Sequence, residues 1–144
     1  MYNFKNLKKI RQKVQDGKIL TLFFSALCIL IIFYFSWLPS GEFGKETILP
    51  AWLLAWSNTY FNLRTALPFI FLGSFTAIKN NAYLAFFSCI VVVCIAEAGQ
   101  FFIADRNPDL LDIVFGALGS ILGIGIVQFF RRKKNCKTKV ERQN

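Results

Sequence analysis

The sequence predicts an all-α integral membrane protein: a bundle of four transmembrane helices, with a short interfacial or re-entrant helix in the first external loop. Three observations predict it. Hydrophobic residues make up 55% of the 144 positions, 17 of them phenylalanine, and mean hydropathy is +0.46, high for a soluble chain. Several apolar stretches approach the ~20 residues needed to cross the hydrocarbon layer of a bilayer. The charge is also sorted along the chain. Residues 1–18 hold six Lys/Arg and one acid, and residues 131–144 hold seven and one. The tails therefore sum to +11 and the middle to −2.

Basic clusters flanking apolar helices are what retention of positive segments in the cytoplasm produces. That arrangement accounts for the net charge of +9 without nucleic acid. With no histidine in the chain, imidazole-based metal or acid–base chemistry is excluded. Cys28, Cys89 and Cys94 fall in apolar stretches and Cys136 in the basic tail, so no disulfide framework or zinc knuckle is implied. No cofactor or metal is expected.

Residues 1–18 read as a basic cytoplasmic segment, either a solvated tail or a short surface helix with Phe4, Leu7, Ile10 and Val14 on one face. Residues 19–38 are the first span, uncharged and closed by the turn residues Pro39, Ser40 and Gly41. Residues 41–59 begin polar with Glu42, Lys45 and Glu46, then become apolar, with Trp52 and Trp56 one turn apart. That apolar part is too short to cross, hence the expected interfacial or re-entrant helix.

Residues 60–78 are the second span, with Arg64 near its start, Pro68 within it and Gly73 available for close packing. Residues 82–103 are the third, residues 110–130 the fourth, and 131–144 a basic tail. Domain 19–130 thus places both termini and Lys79 on the cytoplasmic side, and the loops at 41–59 and 104–109 outside.

Ionisable groups inside such helices are costly and call for partners. Glu97 lies ~9 Å below the end of its predicted span, at 1.5 Å per residue. Gln100 sits one turn above it on the same face. On the next helix Asp109, Asp112, Gly116, Gly119 and Gly123 fall within an arc of roughly 80° at 100° per residue. Two acids therefore stand above a glycine groove that admits another backbone. The expected partner of that groove is the third span, its neighbour in sequence. The candidate binding cluster is Glu97, Gln100, Arg106, Asp109 and Asp112, with Arg64 as counter-charge and Asp105 at its edge. It serves either as a charge-neutralised network fixing helix register or as a site for a polar headgroup or protons.

The run E-x-x-Q, then R-x-x-D-x-x-D, then glycines at intervals of three and four before a basic tail, resembles the VanZ-like membrane proteins. The matching residues are Glu97, Gln100, Arg106, Asp109, Asp112, Gly119 and Gly123, and the stretch from Pro68 to Gly73 is similar to that family's second span. Gly116 stands where the family commonly has asparagine. The resemblance covers roughly residues 60–127. It implies a small multi-helix protein of the bacterial cytoplasmic membrane, associated with glycopeptide (teicoplanin) resistance or surface polysaccharide, and no proven reaction.

The favoured reading is a non-enzymatic envelope protein that binds or repositions an anionic or glycosylated lipid at the outer leaflet. Its partners would be membrane lipids or lipid-linked glycans, with a homo-oligomer left open. One alternative is an enzyme acting on a lipid-linked substrate through Glu97, Asp109 and Asp112, with or without a divalent ion on the two aspartates. It lacks an evident nucleophile–base pair and a phosphate-binding glycine loop. The other is a small proton-coupled transporter, which four helices would form only as an oligomer, and no inverted repeat is visible.

Overall fold

A computed structural model describes residues 4–39, 50–104 and 106–141. The chain is all-α over these residues: α1 (Phe4–Ser36), α2 (Ala51–Thr59), α3 (Phe61–Lys79), α4 (Ala82–Gln100) and α5 (Leu110–Glu141). Glu42, Lys45 and Glu46 of the first long connection, and Asp105 of the last, lie outside the described residues.

Three segments are long and apolar enough to cross a membrane: Gln15–Ser36, Ala82–Gln100 and Leu110–Cys136. α2 and α3 meet at 103°, and Ala51–Thr59 with Asn62–Lys79 pass the same test only as a bent pair. The exterior is apolar, as lipid requires. Leu22, Leu30, Phe87, Leu122 and Phe130 are all more than half exposed.

Several boundaries differ from the sequence reading for local reasons. α1 begins at Phe4, so the basic segment continues the first span as one helix. Between them stand good helix formers, and the lone Gly17 costs only ~1 kcal/mol. α5 likewise carries the basic tail to Glu141 in helical form. α4 stops at Gln100, and residues 101–104 form turns, with Phe101 and Phe102 bonded back to Ala98 and Gly99.

Two helix starts carry side-chain caps. Asn81 Oδ1 accepts from the Leu84 N–H at 2.8 Å, and Asp109 Oδ1 from the Leu111 N–H at 2.8 Å.

α3 is the central helix, packed on α1, α2, α4 and α5. One buried cluster joins Ile32, Phe69, Leu72, Cys89, Val93 and Ala96; a second, nearer the basic end, joins Ala77, Ala85 and Ile124.

The glycine groove of α5 faces α3, and this corrects the expected pairing with the helix beside it in sequence. A Cβ on Gly119 would fall on the Ala66 carbonyl, and one on Gly123 on the Ile70 carbonyl. Gly73 answers from α3, where a Cβ would come 2.7 Å from the Ser120 carbonyl oxygen. Gly116 alone also meets α4, lying against Val93 and Phe69. α3 accepts the groove because Ala66, Gly73 and Ser74 leave its backbone open on that face, whereas α4 presents Cys89 and Val93. Ser74 Oγ shares its one proton between the Ile70 carbonyl of its own helix at 2.8 Å and the Gly123 carbonyl at 3.1 Å, bridging the contact.

Candidate functional site

The site forms where α1 and α4 end and α3 and α5 begin, so four helix termini meet at one end of the bundle. Glu97, on the last turn of α4, is 5% exposed. Its Oε1 accepts from Gln100 Nε2 at 2.9 Å and its Oε2 from the Asp109 N–H at 3.0 Å. The second bond sets a carboxylate at the N-terminus of α5, where the helix dipole favours negative charge.

Gln100 Nε2 also donates to Ser36 Oγ at 3.1 Å, and Trp37 Nε1 donates to the Ala96 carbonyl at 3.1 Å. These bonds stitch α1, α4 and α5 together. Trp37 needs the glycine at position 99, since any Cβ there would collide with its indole.

Arg106 takes the opposite pole. Its Nη2 donates to the Ser36 carbonyl at 2.9 Å, capping the C-terminus of α1, where a cation is favoured. Its Nε is buried and has no hydrogen-bond partner among the described residues. Among the described residues, Glu97 and Arg106 thus hydrogen-bond to helix ends and not to each other, while Arg106 stays within electrostatic reach of Glu97. Asp112, in the first turn of α5, accepts from Thr65 Oγ1 of α3 at 2.7 Å. Arg64 is half-buried one residue before Thr65 and lies within electrostatic reach of Arg106 and Asp112.

These groups border a cavity of about 250 Å³. Ser36, Arg64, Thr65, Glu97, Gln100, Arg106 and Asp112 line its polar part. Ile32, Leu53, Leu67, Phe69 and Val93 are among its apolar walls, and Trp56 and Ser57 reach it from α2.

Five of the six residues expected to bind, Glu97, Gln100, Arg106, Asp112 and Arg64, are therefore brought to one cavity. Asp109 is not. It is exposed, its carboxylate caps α5, and only its backbone N–H joins the cluster. No group of three His, Cys, Asp or Glu side chains close enough to hold a metal occurs among the described residues. The pairing of Asp109 with Asp112 as metal ligands thus finds no third partner there.

Ser36, Ser57 and Thr65 are polar lining groups that spacing along the chain did not single out. Each is one hydroxyl in an apolar helix, and only the assembled bundle shows what it faces. The chain matches no known family model, no curated protein and no solved structure.

Proposed function

We propose that this chain is a non-enzymatic, VanZ-like protein of a bacterial cytoplasmic membrane. It crosses four times, α3 being the second span in chain order and α2 a re-entrant or interfacial piece, with both termini cytoplasmic. Its role is to bind the head of a membrane lipid or lipid-linked glycan in the cavity at the outer end of the bundle.

The observation that carries this reading is the amphipathic cavity itself. Two arginines and two carboxylates meet at one end, and apolar walls lead toward the bilayer interior. Ligand sites are mostly apolar concavities with a few convergent polar groups. Intramembrane charges gathered at such a site favour recognition over packing alone.

Lipids retained through purification in mild detergent test the proposal, read by native mass spectrometry. The unaltered chain is expected to hold about one lipid per copy. Arg64→Gln, in the cavity, is expected to lose it, and Lys79→Gln, at the opposite end of α3, to keep it. Equal lipid content in the two variants would refute the site.

A further inference from the structure

The cavity's shape and charge restrict which lipid fits. Its formal charges balance: Arg64 and Arg106 against Glu97 and Asp112. Both Glu97 oxygens are already used by the protein, and Asp112 Oδ1 takes a bond from Thr65. What the cavity still offers is mixed. Arg106 Nε is a buried donor with no partner among the described residues, and the Asp112 carboxylate has acceptor capacity beyond its one bond. An anionic head adds a net charge that no group of the cavity offsets, and brings it against Glu97 and Asp112 where screening is weak.

The depth of the lining residues shows how a ligand would lie. Ile31 is ~7.5 Å further from the polar end than Ser36, and Leu67 ~4.5 Å further than Arg64, by helical rise. Both line the cavity, and Ile31 is 41% and Leu67 42% exposed. The apolar part of the cavity therefore reaches Ile31 of α1 and Leu67 of α3, at a level where the surroundings are hydrocarbon. At about 250 Å³ it is smaller than the ~300–1,000 Å³ of pockets that enclose a whole drug-sized ligand. A head fits inside; a chain of any length has to leave along the apolar walls.

We infer that the cavity takes a net-neutral amphiphile from within the bilayer, its head donating as well as accepting hydrogen bonds, and its tail leaving along Ile31 and Leu67. Heads of this chemistry are polyhydroxyl (glycosyl) or zwitterionic. The inference rests on the lipid-binding reading above and narrows it by excluding the anionic heads.

The test uses the full chain in nanodiscs containing equal amounts of glucosyl-diacylglycerol, phosphatidylethanolamine and phosphatidylglycerol. Lipid co-released with the protein is quantified by native mass spectrometry. One of the two neutral lipids is expected to be enriched about tenfold over phosphatidylglycerol, and which one separates the glycosyl from the zwitterionic source. Asp112→Asn makes the cavity net positive and is expected to shift the preference toward phosphatidylglycerol. Leu67→Trp, at an exposed position that packing tolerates, is expected to reduce retention of every class.

Preference for phosphatidylglycerol in the unaltered chain would overturn the inference, as would an unmoved preference in Asp112→Asn or full retention in Leu67→Trp. In those cases lipid binding would still stand. Retention of no lipid class would instead bring down the lipid-binding reading, and this inference with it.

Discussion

Gly123→Ala tests the α3–α5 contact that holds the bundle together, and its magnitude follows from the atoms the new methyl meets. A Cβ at Gly123 lands on the Ile70 carbonyl and comes 2.9 Å from the Ser74 nitrogen, where 3.4 Å is the near limit of ordinary contact. Both obstacles are backbone, so no rotamer change relieves them and the helices have to separate. Overpacking of this kind costs ~1–3 kcal/mol. Separation also stretches the longer, 3.1 Å branch of the shared Ser74 Oγ bond to the Gly123 carbonyl, worth at most about 0.6 kcal/mol inside a membrane. Against this, alanine improves helix propensity by up to ~1 kcal/mol.

The control stands two residues along. Gly125 is exposed, with nothing within 4 Å of its would-be Cβ, so Gly125→Ala keeps the propensity gain alone. The two variants should differ by about 2 kcal/mol, Gly123→Ala being the less stable. Unfolding by titration with sodium dodecyl sulfate in mixed micelles, followed by circular dichroism, measures the difference. Coincident transitions for the two variants would refute the packing of α5 on α3.

Two further predictions address the site and the topology. Glu97→Ala strips acceptors from both Gln100 and the Asp109 N–H and should cost about 2–3 kcal/mol, whereas Glu97→Gln preserves one of the two bonds and should cost about 1; the same titration checks them, and a reversed order would contradict the assigned bonding. For the proposed cytoplasmic termini, the exposed Cys136 should react with a membrane-impermeant maleimide in inverted vesicles and not in intact cells, while Cys94, exposed on the apolar flank of α4, should react in neither.

Much of the site was legible in the sequence because helical phase is local. Glu97 and Gln100 are three residues apart, and their hydrogen bond follows from that spacing on any helix. The glycine face of α5 was legible for the same reason. Its partner was not, since adjacency in sequence favours α4 and only the matching small residues of α3 decide otherwise. Asp109 shared an arc with Asp112, but an acid at a helix's first N–H groups caps it, and the exact start of α5 settles which role it takes. Ser36 and Thr65 gain their partners from helices 64 and 47 residues away in sequence, a relation no local pattern encodes.

By itself, then, the sequence determined that the chain is helical and made for a membrane, because hydropathy and helical period are sums over neighbouring residues. It also determined that polar groups gather toward one end of the helices and positive charge toward the other. Tertiary structure alone decided how those polar groups are satisfied. Glu97 and Arg106 turn to the ends of α5 and α1, where exposed backbone groups already wait for partners. It alone decided, too, that Arg64, Thr65 and Asp112 line a common cavity, because close packing of α3 into the α5 groove sets the distance between their helices.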